Sequence, residues 1–93
     1  MMNLELILDL LQRETTRATY GAVAGVLGGI AQGVMTGRDI SHRNSWIVSE
    51  KTWLPTGYQH GQMHPNLLRL PMVVLDSPAR LQRFLNRHLD NGN

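Results

Sequence analysis

Few side chains in this sequence have the types and spacing that do chemistry, and the first pair is Ser41 beside His42, a hydroxyl next to an imidazole. Adjacent side chains usually point apart, so the pair lacks the geometry of a nucleophile, its base and an orienting third group. A second pair, His60 and His64, has the four-residue spacing at which two imidazoles on one helical face hold a metal ion. Gly61 and Pro65 spoil the helix such a site needs, and no carboxylate or cysteine completes the set. The chain has no cysteine, which removes disulfides, thiolate zinc sites and a thiol nucleophile. The expectation is a protein that is not an enzyme and holds neither metal nor cofactor.

What remains is the chemistry of contact. The formal charge is only +2, yet eight of the nine basic residues are arginine, whose planar fork suits phosphate and guanine. Arg38, Arg43 and Lys51 follow a glycine-rich stretch and are candidates for phosphate contact. Arg80, Arg83 and Arg87 share the last helical segment and read as a solvated face. Tyr20 opens a helix, where a tyrosine is readily a half-buried packing residue. Trp46 lies in an apolar run and fits a core better than a base stack. Trp53 sits beside Pro55 in a polar loop with no obvious core to enter, so it reads as a recognition residue or a contact for a protein partner.

These groups need elements to hold them. Residues 19–37, TYGAVAGVLGGIAQGVMTG, carry no charge and divide at Gly28 and Gly29, whose backbone freedom allows a sharp turn between two short helices. That is a helix-turn-helix pattern. Thr19 would cap the first helix, 20–27, which buries Val23, Ala24 and Leu27. The second, 30–36, would bury Ile30 and Val34, show Gln32, Gly33 and Thr36, and stop at a left-handed Gly37. Upstream, Leu4, Ile7, Leu8 and Leu11 recur at helical spacing over 3–14 with Asn3 as the cap. Downstream, 45–49 alternates as a strand, and 50–58 is an exposed loop or wing. A helical turn is expected at 66–70 and a β-rich run at 72–76. Ser77 and Pro78 start a helix over 78–89 whose buried face is Leu81, Phe84, Leu85, His88 and Leu89. With 93 residues, the chain reads as a single α+β winged helix-turn-helix-like domain spanning 1–93.

Thr19, Tyr20, Gly21 and Ala24 repeat the TYGxxA signature, and the stretch resembles the DNA-binding domain of O6-alkylguanine-DNA alkyltransferases and of the non-catalytic alkyltransferase-like proteins. Ala31-Gln32-Gly33-Val34 is similar to that family's recognition helix. Ile40-Ser41-His42-Arg43 resembles its Pro-Cys-His-Arg run, and 57–61 its Gly-Tyr-x-x-Gly loop. The resemblance covers about half of the chain, from Thr19 to Gly61. It implies duplex DNA as partner, with modified or alkylated bases as its target and DNA repair as its setting. Tyr20, Gln32, Gly33 and Thr36 would meet the DNA, flanked by Arg38, Arg43 and Lys51. Ser41, His42, Trp46 and Tyr58 would surround the base pocket.

Two departures shape the activity this resemblance implies. In one register Ser41 replaces the alkyl-accepting cysteine, and a serine hydroxyl near its ordinary pKa is a far poorer nucleophile than a thiolate. In the other register Trp46 stands near that position, as in alkyltransferase-like members. Gln32 replaces the arginine that fills the space of the flipped base, offering hydrogen bonds but no cation. Binding without alkyl transfer is the expectation.

Two other classes of function compete. Gly21, Gly25, Gly29, Gly33 and Gly37 recur every four residues like a membrane glycine zipper, though the uncharged window is barely of spanning length. A small protein-interaction module meeting its partner through the Trp53 loop is the other. No basic, cleavable leader is visible at the N-terminus, so a cytoplasmic location without membrane contact is expected.

Overall fold

The computed structural model describes residues 3–67, 69 and 73–91, leaving aside the side chains of Gln32, Asp90 and Asn91. The expected 66–70 turn and 72–76 run therefore lie partly outside the described residues. Helix α1, Leu4–Glu14, starts as its sequence requires: Asn3 Oδ1 accepts from the Leu6 N–H at 2.9 Å. Its apolar stripe buries Ile7, Leu8, Leu10 and Leu11. Between that helix and the next, where the sequence suggests no strand, Arg17–Thr19 forms β1, buried throughout. The chain leaves the helix through Thr15, which takes a left-handed conformation, and this swings 17–19 into the middle of a sheet.

The sheet has three short parallel strands in the order β2-β1-β3, with β2 at Ile47–Val48 and β3 at Val74–Leu75. Ala18 pairs with Ile47 on one side and with Leu75 on the other. Parallel neighbours need long crossovers, and 20–46 and 49–73 provide them. The fold is thus mixed α/β, with three α-helices among the described residues. The alternation expected at 45–49 gives way to burial of Ser45, Trp46, Ile47 and Val48 alike, because both faces of a parallel strand are covered. Its first residues belong to a 3-10 turn, Arg43–Trp46, not to the strand.

Helix α2, Tyr20–Leu27, begins where Thr19 Oγ1 accepts from the Ala22 N–H at 3.1 Å and ends at Gly28 with φ +83°. Gly28 and Gly29 both donate to the Ala24 carbonyl, closing the turn expected there. The second helix expected over 30–36 shrinks to a 3-10 turn, Ala31–Gly33, followed by turns to Gly37 at φ +79°. Glycines at 28, 29, 33 and 37 leave too little propensity to nucleate a full helix. The burial expected for Leu27 and Ile30 fails with it, since Ile30 is 72% exposed and Leu27 37%.

Helix α3, Pro78–Asn91, is capped by Ser77 Oγ and buries Leu81, Phe84 and Leu85 of its expected apolar face, while His88 and Leu89 stay only partly buried. It lies so close to α2 that a Cβ on Gly25 would come within 2.2 Å of Pro78 Cγ. Gly25 is therefore a helix-contact glycine, and the chain leaves the helix at Gly28, so no continuous zipper face runs from 21 to 37. No helix among the described residues is long and apolar enough to cross a membrane.

Candidate functional site

A cleft opens between the start of α2, the turns at 34–39 and the loop at 56–58. Its outer part, about 410 Å³, is lined by Tyr20, Ala31, Met35, Thr36 and Thr56. Its inner part, about 110 Å³, shares Tyr20, Met35 and Thr56 and reaches Arg38, Asp39, Ile40, Asn44 and Tyr58. Capping by Thr19 fixes where Tyr20 leaves the helix. Tyr20 Oη then accepts from the Thr56 N–H at 2.9 Å, which pins the 50–58 loop against the helix start. Gly57 at φ +82° turns the chain back so that Tyr58 can form the far wall. Tyr58 Oη accepts from the Ser41 N–H at 3.2 Å, and burial pushes the phenol pKa up. The Tyr58 phenol therefore stays neutral at physiological pH. The cleft is lined mostly by uncharged side chains, with Arg38 and Asp39 as the charged residues of its inner part.

The glycines that border the cleft residues in sequence are exposed and uncrowded. A Cβ at Gly21, Gly28 or Gly29 would meet nothing within 4 Å, and one at Gly33 only Ile30 Cγ1 at 3.6 Å. Leu27, Ile30 and Val34 border a shallow apolar depression beside these glycines. A broad surface can thus approach the backbone here.

The basic residues divide by partner. Arg43 is a brace: its Nη1 lies 2.7 Å from Glu5 Oε1, its Nη2 2.6 Å from Asp9 Oδ1, and Nη2 also donates to the Glu5 carbonyl. Arg38 Nη2 reaches the other Glu5 oxygen at 2.5 Å. Hydrogen bonds from Arg43 and then Arg38 hold the Glu5 carboxyl below its usual range. Bonds from Asp9 and Glu5 raise Arg43 correspondingly. Lys51 is exposed and its ammonium makes no ion pair among the described residues. Of the three cations expected to flank DNA, Arg43 is thus engaged with α1, Arg38 is half-engaged at the cleft edge, and Lys51 is available.

Of the four residues assigned to a base pocket, Tyr58 lines the cleft and Ser41 backs it through Tyr58. Trp46 does not belong there: at 1% exposure it is the largest fully buried side chain, packed in the core. Ser41 Oγ accepts from the Asn44 N–H at 3.0 Å, capping the 3-10 turn that precedes β2. The His42 ring sits 5.8 Å from that of His64, and the His64 ring 5.1 Å from that of Trp46. His64 thus pairs with His42 and not with His60. Burial, and then the neighbouring His42, lower its pKa. No cluster of three or more potential metal ligands occurs among the described residues. The Gln32 side chain lies outside them.

Met35, Asp39, Asn44 and Thr56 line the cleft without having been singled out from the sequence, and Ile40 was named only as part of the Ile40-Ser41-His42-Arg43 run. Thr56 carried a usable signal, standing in the Pro-Thr-Gly turn just before Tyr58. The others become neighbours only because the second helix collapses into turns. Comparison with protein-family models, characterised proteins and solved structures returns no match to this chain.

Proposed function

We propose that this protein binds duplex DNA without altering it, in the manner of the alkyltransferase-like proteins it resembles, and that it senses a modified or alkylated base. In this reading α2, the Gly28–Gly29 turn and the 3-10 turn at Ala31–Gly33 act as a reduced helix-turn-helix. The 50–58 loop takes the place of a wing. The observation that carries the reading is the cleft walled by Tyr20 and Tyr58, whose lining residues Tyr20 and Ala31 neighbour in sequence the exposed, uncrowded Gly21 and Gly33. A duplex lying on Gly21, Gly29 and Gly33 would bring one extruded base to the mouth of the outer part, about 410 Å³ in volume. Arg38 and Lys51 would meet phosphates, while Tyr20 would lie near the backbone beside the target base.

Binding without chemistry is supported by Ser41, whose hydroxyl caps a turn behind Tyr58. The test is fluorescence anisotropy with plain and O6-alkylguanine duplexes at about 50 and about 200 mM salt, followed by mass spectrometry of the protein. Affinity falling with salt, tighter binding to the modified duplex and an unchanged protein mass are expected. An alkylated protein would refute the non-catalytic part. A second reading, a protein-interaction module, draws support from the exposed Ile30 and Leu27, and undetectable DNA binding at the lower salt would favour it.

A further inference from the structure

Among the described residues, Trp53 is a non-glycine residue outside the helix caps that takes a left-handed conformation, with φ +57°. A bulky residue rarely occupies the left-handed region, and glycine would do so freely. Two bonds hold it there: its N–H donates to the Ser49 carbonyl at 2.7 Å, and its carbonyl accepts from Arg17 Nη1 at 2.8 Å. Arg17 is itself 5% exposed, on the central strand, and its Nη2 donates to the Leu67 carbonyl. No carboxylate pairs with it among the described residues, and burial lowers its pKa. A fold seeking only stability would place an apolar residue at 17 and glycine at 53. Instead a buried cation clamps a strained backbone, and the result is a tryptophan that remains 38% exposed and is not among the side chains packed on the core. Strain kept in place by its surroundings is a mark of a working site.

Three residues on in sequence, Thr56 lines the cleft and is pinned to Tyr20, which ties the loop that carries Trp53 to the cleft's rim. Glu50 and Lys51 precede Trp53 and cancel in net charge, so beyond the single phosphate contact of Lys51 the loop's contribution has to be apolar and aromatic. We propose that Trp53 stacks on a DNA base exposed where the duplex opens at the cleft, with Arg17 as the positioning residue that presents it. This rests on the DNA-binding reading above. Base stacking on an aromatic ring is tolerant of sequence and independent of counterion release, unlike a phosphate contact.

The experiment titrates fluorescent duplexes, plain and carrying an O6-alkylguanine, with the wild type and with Trp53→Phe, Trp53→Ala and Trp53→Gly. Trp53→Ala should bind the modified duplex about tenfold more weakly or worse, with the same dependence on salt, and Trp53→Phe should retain most of the affinity. Trp53→Gly relieves the backbone, so it should unfold at a higher denaturant concentration than Trp53→Ala while binding no better. Recovery of affinity in Trp53→Gly would show that the residue matters only through stability and would overturn the proposal. Wild-type binding with all three variants equal to it would overturn the role of Trp53 and leave DNA binding standing. A wild type that binds neither duplex would remove both.

Discussion

Two glycines on one helix, four residues apart, should respond oppositely to the same substitution. At Gly21 an added Cβ meets nothing within 4 Å. Gly21→Ala therefore gains only the helix preference of alanine over glycine, about 0.5–1 kcal/mol. At Gly25 the Cβ would fall 2.2 Å from Pro78 Cγ and 2.8 Å from Pro78 Cβ, against an ordinary carbon contact of about 3.5–4.0 Å. A proline ring at the start of α3 cannot swing aside, so the helices must separate by roughly 1 Å or more, at about 1–3 kcal/mol. Less the same propensity gain, Gly25→Ala should lose about 1 kcal/mol, leaving the two variants roughly 2 kcal/mol apart. Urea unfolding of both reads this directly, and in a chain of 93 residues each kcal/mol moves the melting temperature by about 4–8 °C. DNA binding should invert the order. Gly21→Ala, the more stable protein, should bind duplex more weakly because its methyl stands on the open approach face, whereas Gly25→Ala should bind as the wild type does wherever it is folded. A Gly21→Ala protein that is stabilised and binds DNA unimpaired would refute the role given to that face.

Other expectations follow from the ion pairs and histidines. Arg43→Ala should lower stability by about 0.5–1 kcal/mol, more at low salt, since its carboxylate partners are largely exposed, and it should change the salt slope of DNA binding less than Arg38→Ala or Lys51→Ala. Each of those two should reduce the slope by about one, which titrations at several salt concentrations measure. His64 has a folded pKa below its ordinary 6.5, so the unfolded chain takes up the proton first; stability should be full above that value and decline as pH falls below it, and His64→Gln should flatten this part of the profile in urea unfolding. The lowered pKa of Glu5 adds a second loss at more acid pH, as the carboxylate is protonated and releases Arg43 and Arg38, and Glu5→Gln should remove it. Arg17→Met should weaken binding to the modified duplex in parallel with Trp53→Ala, while lowering stability less than a lost charge pair would, because no carboxylate is left unpaired among the described residues.

How much of this was legible before the fold was known depended on the range of the signal. Local signals held: the Asn3, Thr19 and Ser77 caps, the left-handed Gly28 and Gly37, and the periodic faces of α1 and α3 all appear where the sequence places them. Non-local ones did not. The strand at Arg17–Thr19 has no alternation to reveal it, because a central parallel strand buries every side chain, including a charged one. Ile30 looked like core by type and is 72% exposed, because the helix meant to turn it inward does not form. Tyr20 and Tyr58 were both singled out from the sequence, yet their meeting across a cleft depends on the Tyr20–Thr56 and Tyr58–Ser41 hydrogen bonds, which join residues 36 and 17 positions apart. Arg43 looked like a phosphate ligand until Glu5 and Asp9, on a distant helix, proved to hold it.

The most direct measurement of the central claim is a map of backbone amide shifts by nuclear magnetic resonance as a duplex carrying one O6-alkylguanine is added to the isotope-labelled protein. The account predicts that shifts concentrate at 20–21, 28–38 and 51–58, around the cleft and its glycine face, with α3 silent at Arg83 and Arg87. Shifts confined to α3, or none at low salt, would contradict it.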